Sequence, residues 1–211
     1  MKLDIFSDPV CPWCYLGKAN LDRALEAHAG HPFEVEWHPF QLNPEMPEAG
    51  VDKREYLSRR FGAEQLEGIH QRFRDIAAKA GVQMDPDTPK RIPNTLNAHR
   101  LIHWAGLEGR QTPMVSALMR GYWVQGRDIG DPGVLADLAE EAGLDRAAIA
   151  RLLASDADRA EILQRETHAR QRGVNAVPTF VVAGQYVLSG AQPPELWGQV
   201  IDELAAAGPA D

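Results

Sequence analysis

The sequence VCPWCY at residues 10–15 contains the only two cysteines of the 211-residue chain. Its position between a predicted strand and a predicted helix is the starting point for predicting the fold. Cys11 and Cys14 are three positions apart, so in a helix their Cα atoms lie about 5 Å from each other. A disulfide needs a Cα separation of about 4.4–6.8 Å, so this pair can form and break a disulfide without moving the backbone. Residues 2–6, with the sequence KLDIF, predict a strand before it. Pro12 suits the first turn of a helix, where its missing N–H costs nothing.

This position at a predicted helix N-terminus makes Cys11 the candidate nucleophile. The unpaired backbone N–H groups of a first helical turn stabilise negative charge, which here is the thiolate of Cys11. Cys14 lies one turn inside the helix and is the candidate resolving thiol. Trp13, between the two cysteines, is expected to be partly exposed, and we predict that it contacts the substrate together with Pro12.

Composition and charge exclude several function classes. The chain is 44 % hydrophobic and 25 % charged, as in an ordinary soluble globular protein. A net charge of -8 argues against a surface that follows nucleic-acid phosphates. No stretch approaches the roughly 20 apolar residues of a membrane span, and the chain shows no leader pattern at its start. We therefore expect a cytoplasmic protein without membrane association, where a CxxC is more often catalytic or metal-binding than structural.

The first and last parts of the chain alternate between strand and helix patterns. A helix is predicted over 15–29, and residues 33–38 alternate with the period of two that marks a half-buried strand. With the first strand they form a βαβ unit with parallel strands. Near the end, 178–182 and 186–189 predict an antiparallel hairpin around a turn at 183–185, followed by a closing helix over about 195–206.

The region between these parts is predicted to be entirely helical. Its predicted helices cover 51–61, 63–80, 94–105, 112–125, 131–142, 144–153 and 155–172, with proline-rich segments between some of them. The sequence thus predicts an α/β protein with the thioredoxin fold, βαβ then ββα, carrying a large all-helical insertion between the halves. We expect residues 1–43 and 174–211 to form the thioredoxin-like domain and 44–173 to form the inserted subdomain. Four of the five tryptophans, outside the CxxC, are expected to pack in the core or at an interface.

Four motifs make the chain resemble, over essentially its whole length, the DsbA-like thioredoxin-fold family and most closely its FrnE-type subgroup. They are DPVCPWC at 8–14, PNTLNAHR at 93–100, VPTF at 177–180 and SGAQ at 189–192. Ala176 departs from the glycine that is common in such proteins. The resemblance implies that the bond before Pro178 is cis and lies against the CxxC. The backbone of Val177 would then be free to pair with an extended peptide as an added strand.

Other interpretations of the same residues stay open. A lone CxxC supplies two of the four ligands that structural zinc needs, and His99 and His103 share a helix face, but we expect no metal. A purely structural disulfide would close a loop too short to stabilise the fold much. Asp8 either assists proton transfer at Cys14 or is only a turn residue, and the turn is the preferred interpretation.

The predicted function is that of a thiol–disulfide oxidoreductase, in which Cys11 attacks, Cys14 resolves, and Val177 and Pro178 shape the substrate face. The resemblance also leaves a glutathione-dependent transferase or isomerase of a small organic substrate as the alternative. Kappa-class glutathione transferases and 2-hydroxychromene-2-carboxylate isomerases are similar, but they have serine in place of Cys11. A binding or chaperone module is the third possibility. Expected partners are disulfide- or thiol-containing proteins or glutathione, with no tightly bound cofactor and a monomeric or homodimeric state.

Overall fold

The computed structural model describes residues 1–207, and the predicted domain end at 208–211 lies outside the described residues. In chain order the elements are β1 Lys2–Ser7, α1 Pro12–Ala27, β2 Glu34–Pro39, β3 Val51–Asp52, α2 Lys53–Phe61, α3 Ala63–Lys79, β4 Arg91–Ile92, α4 Leu96–Leu107, α5 Gln111–Trp123, α6 Pro132–Glu141, α7 Arg146–Leu153, α8 Arg159–Gln171, β5 Thr179–Val182, β6 Tyr186–Ser189 and α9 Pro194–Ala207.

The main sheet joins the two ends of the chain. Its strand order is β2-β1-β5-β6, with β1 parallel to β2 and antiparallel to β5, and with β5 antiparallel to β6. The register pairs Ile5 with Trp37 on one side and with Phe180 on the other. Helices α1 and α9 pack against each other, while α5 and α8 of the intervening segment contact β2. This βαβ then ββα order is the predicted thioredoxin fold, with the helical segment between its halves.

Local sequence signals account for several helix starts. Asp131 precedes Pro132, and its side chain accepts a hydrogen bond from the Val134 N–H at 2.9 Å, as the Asp-Pro pair predicts. Asp145 caps α7 in the same way, accepting from the Ala148 N–H at 2.8 Å. Each side-chain oxygen satisfies one of the N–H groups that a first helical turn leaves unpaired.

Two details of the helical segment differ from the prediction. Residues 51–52 are not the start of a helix: they pair with residues 91–92 as a small antiparallel ladder, and α2 begins only after Asp52, which caps it. The helix predicted over 112–125 begins one residue earlier, at Gln111, so Thr112 lies inside α5. The Thr112 hydroxyl accepts a hydrogen bond from the Trp37 indole at 2.9 Å. In both places a contact from a distant part of the chain outweighs the local signal.

One hydrophobic core runs through the sheet, α1, α9 and the helical segment. The four tryptophans expected to pack in the core are all buried: Trp37, Trp104, Trp123 and Trp197. Trp197 is fully buried and meets the Phe180 ring edge-on, with 4.9 Å between the ring centroids. A helix long and apolar enough to cross a bilayer is not found among residues 1–207.

Candidate active site

Cys11 occupies the N-cap position of α1, directly before Pro12 at the first helical position. Its backbone is extended, with φ -82° and ψ 118°, and its sulfur accepts a hydrogen bond from the Cys14 N–H at 3.4 Å. Backbone N–H groups at a helix N-terminus stabilise negative charge on the atom they face. The predicted placement of Cys11 at a helix start is therefore confirmed, and both cysteines are free.

Cys14 lies in a different environment from Cys11 although the two residues are adjacent in space. Both residues are buried, but Cys14 lies inside the first turn of α1 whereas Cys11 caps it. Burial raises the pKa of the Cys14 thiol well above its usual value, and the neighbouring Cys11 sulfur raises it further. Cys14 is therefore protonated, as expected of the thiol that resolves a mixed disulfide in the second step.

The loop before β5 lies against the cysteine pair. The Val177–Pro178 peptide bond is cis, and the Val177 carbonyl accepts a hydrogen bond from the Cys11 thiol at 3.6 Å. Pro178 is buried, whereas Val177 is only partly covered. Gly17 of α1 makes this approach possible, since a Cβ atom there would lie 3.1 Å from Pro178 Cγ and 3.3 Å from Ala191 Cα. Gly17 was not identified from the sequence.

Asp8 lies at the turn before Cys11, and its side chain is buried. Its carboxylate accepts hydrogen bonds from the Val10 N–H at 3.2 Å and the Leu42 N–H at 2.8 Å, and the Thr95 hydroxyl donates at 3.4 Å. It therefore ties the turn before Cys11 to the segment after β2 and to the start of α4. Burial raises the pKa of Asp8 to about 7, against the lowering effect of these donors.

His99 faces Asp8 from α4. Its Nε2 lies 4.0 Å from Asp8 Oδ1 and is a buried nitrogen without a hydrogen-bond partner among the described residues. Burial lowers the pKa of His99 to about 4, so the ring is neutral at physiological pH. The motifs at residues 8–14 and 93–100 are thus in contact through Asp8 and His99, next to the CxxC.

Trp13 borders a groove beside the cysteine pair. It is 41 % exposed, as predicted, and its ring lies 4.8 Å from that of Phe73 on α3. The groove has a volume of about 320 Å³, runs from the residues flanking Cys11 to α2 and α3, and is mainly apolar. Its polar side chains include Lys53, the first residue of α2. The sequence analysis did not identify Phe73 or Lys53 as part of a site.

Two other histidines have protein partners. His103, on the same helix as His99, contacts Arg165 at 3.1 Å and lies 3.9 Å from Glu161. On the sheet, His38 Nε2 lies 2.7 Å from the Asp4 carboxylate. These distances are those of hydrogen-bonded and ion-paired side chains.

The sequence profile of the DSBA-like thioredoxin domain matches residues 2–202. The chain belongs to this family. A probable DsbA oxidoreductase from Streptomyces coelicolor is 32 % identical, with a TM-score of 0.86 over 100 % of this chain and 92 % of that one. The uncharacterized protein YwbO of Bacillus subtilis is 28 % identical over 96 % of both chains. The cytosolic disulfide reductase DsbM of Pseudomonas aeruginosa, 22 % identical, shares the fold with a TM-score of 0.71 over 99 % of this chain and 100 % of that one. The predicted fold and family are therefore confirmed.

Proposed function

We propose that this protein is a thiol–disulfide oxidoreductase that works through Cys11 and Cys14. The Cys11 thiolate attacks one sulfur of a substrate disulfide, and the other substrate sulfur leaves as a thiolate. Cys14 then loses its proton and attacks Cys11, which forms the internal disulfide and releases the second substrate thiol. Two electrons pass from the protein dithiol to the substrate, and the reverse sequence oxidises a substrate dithiol.

The observation that carries the proposal is the asymmetry of the two thiols. Both cysteines are buried, but the Cys11 sulfur caps the helix and receives the Cys14 N–H, whereas the pKa of Cys14 is raised. An attacking thiol needs groups that stabilise its thiolate, and a resolving thiol must stay protonated until the mixed disulfide brings a sulfur within its reach. Membership of the DSBA-like family supports the same assignment of roles.

Val177, Pro178, Pro12 and Trp13 form the proposed substrate face. The Val177 carbonyl already contacts the Cys11 thiol, and the partly covered Val177 backbone offers hydrogen bonds to an extended peptide. Trp13 contributes the exposed apolar surface next to the reactive sulfur.

Disulfide-containing proteins and glutathione are the proposed partners, and the cytoplasm is the proposed location. DsbM, which is described as a cytosolic disulfide reductase, has also been solved with glutathione, and this supports glutathione as a thiol donor here. The alternative, a glutathione-dependent transferase or isomerase, is disfavoured by the presence of Cys11 where those enzymes have serine.

Insulin reduction with dithiothreitol as the electron donor tests the proposal. The wild-type protein should accelerate precipitation of the insulin B chain, and Cys11→Ser should abolish the acceleration because the one remaining thiol, Cys14, has a raised pKa and stays protonated. A Lys90→Met variant, altered at an exposed residue, is the control for handling and stability. Wild-type protein that matches the dithiothreitol background would refute the proposed activity. Glutathione-dependent conversion of a small electrophile by Cys11→Ser would favour the alternative.

A further inference from the structure

Lys53 is a buried lysine with an unusual set of partners. It is only 7 % exposed, and its ammonium donates to the Pro86 carbonyl at 2.6 Å. Lys18, which is similarly buried, instead pairs with the Asp22 carboxylate at 2.5 Å. Lysine is almost never buried unless paired, and within residues 1–207 Lys53 forms no ion pair. The carboxylates of Asp85 and Asp87 raise the pKa of Lys53 without pairing with it, so a bound anion would be its direct partner.

Two aromatic rings also lie near the Lys53 ammonium. The nitrogen lies 4.8 Å from the centre of the Trp123 ring and 5.8 Å from that of Tyr122. Such contacts stabilise a cation but leave two of its three N–H donors available for hydrogen bonds. Burial lowers the pKa of Lys53 to about 8, so the ammonium is still mainly charged at neutral pH.

The groove that contains Lys53 opens beside the reactive cysteine. Val10 and Pro12, on either side of Cys11, line it together with Trp13. Its lining includes the cations Lys53 and Arg60 and, in the part of the chain that the structure describes, no Asp or Glu. In a protein with a net charge of -8, this is a local site for negative charge.

We propose that this groove binds one half of a low-molecular-weight disulfide. That half is an apolar group with a carboxylate, which pairs with Lys53 while Cys11 attacks the sulfur attached to the group. The inference rests on the proposed oxidoreductase function and adds a substrate class to it. The volume of about 320 Å³ lies at the lower end of the range for small-molecule sites. The apolar lining fits an aromatic or aliphatic body, and the buried ammonium fits a single carboxylate, since a charged hydrogen bond is strongest away from water.

Two aromatic disulfides that differ in charge test the inference. Dithiobis(nitrobenzoate) carries a carboxylate on each ring, and dithiodipyridine is uncharged. With either probe, Cys11 attacks one sulfur and releases an aryl thiolate, and Cys14 displaces the second with loss of its proton to solvent. Stopped-flow absorbance of the first phase gives a rate constant for each probe. We expect the ratio of carboxylate to neutral probe to fall at least tenfold in Lys53→Met, or about 1.4 kcal/mol.

Lys90→Met is the matched control, because this exposed lysine lies near enough to Lys53 to lower its pKa but does not line the groove. An unchanged ratio in Lys90→Met supports a contact at Lys53. An equal fall in both variants, or an unchanged ratio in Lys53→Met, overturns the inference. Failure of the proposed function has a different outcome, because the wild type would then react with neither probe faster than an ordinary thiol.

The wild-type protein provides a second test if Lys53→Met does not fold. Since Lys53 is charged below its pKa, the ratio should be high at pH 7 and should fall as the pH rises through about 8. Ionisation of Cys11 affects both probes equally and cancels in the ratio. The titratable or charged groups around Lys53 are Asp85, Asp87, Lys90, Tyr122, Arg60 and His70. A ratio independent of pH between 7 and 9.5 would overturn the inference.

Discussion

Replacing Asp8 with asparagine should change how the stability of the protein depends on pH. Burial raises the pKa of Asp8 from 3.8 to about 7, so the folded state holds a proton that the unfolded state releases. The contribution of Asp8 to stability is therefore fully present below pH 3.8 and is lost as the pH rises to about 7. The difference between the two pKa values corresponds to about 4 kcal/mol at most.

His99 acts in the opposite direction over nearly the same pH range. Burial lowers its pKa from 6.5 to about 4, so its contribution is present above pH 6.5 and is lost as the pH falls to about 4. This corresponds to about 3 kcal/mol at most. The two residues therefore largely compensate each other in the wild type. Cys14, Tyr122 and Glu166 are the other titratable groups that act on the pair.

Urea unfolding at pH 4, 5, 6 and 7 measures the effect. Relative to the wild type, the unfolding free energy of Asp8→Asn should rise by up to about 4 kcal/mol from pH 4 to pH 7. That of His99→Phe should fall by up to about 3 kcal/mol over the same range. His103→Gln, one turn further along α4, is the control and should follow the wild type. Parallel curves for Asp8→Asn and the wild type would refute the argument that Asp8 is buried and protonated.

Two further predictions concern the neighbourhood of the cysteines. Iodoacetamide should modify Cys11 of the reduced protein at neutral pH, because the helix N-terminus stabilises its thiolate, while Cys14, whose pKa is raised, should react only after unfolding; equal rates by peptide mass analysis would contradict the assigned roles. Gly17→Ala should destabilise the protein by about 1–3 kcal/mol and slow disulfide turnover, because the new Cβ would press on Pro178, whereas the exposed α3 variant Gly68→Ala should stabilise it by about 1 kcal/mol. Similar melting temperatures for the two variants would argue against close packing at Gly17.

The sequence predicted the elements whose signals are local. The spacing of Cys11 and Cys14 with Pro12 predicts the helix start, and alternation at residues 33–38 predicts a strand that the structure has at 34–39. The pairing of residues 51–52 with 91–92 was missed, because two short segments forty residues apart leave no periodic pattern.

The surroundings of the site were less predictable than the site itself. Asp8 follows a strand and precedes a proline, a context typical of turns, and it is buried only because Leu42 and Thr95 from other segments cover it. Lys53 begins a polar helix and would normally be solvated, but the Pro86 carbonyl and the Trp123 ring enclose it. Such burial depends on tertiary packing, so a pattern along one segment cannot predict it.

Intact-protein mass spectrometry after exposure to oxidised glutathione tests the central claim, that Cys11 attacks and Cys14 resolves. Cys14→Ser should accumulate a single glutathione adduct on Cys11 that dithiothreitol removes, because serine cannot displace a thiol from the mixed disulfide. The wild type should pass to an internal disulfide, and Cys11→Ser should remain largely unmodified because the raised pKa of Cys14 keeps it protonated. Accumulation of the adduct in Cys11→Ser and not in Cys14→Ser would contradict the account.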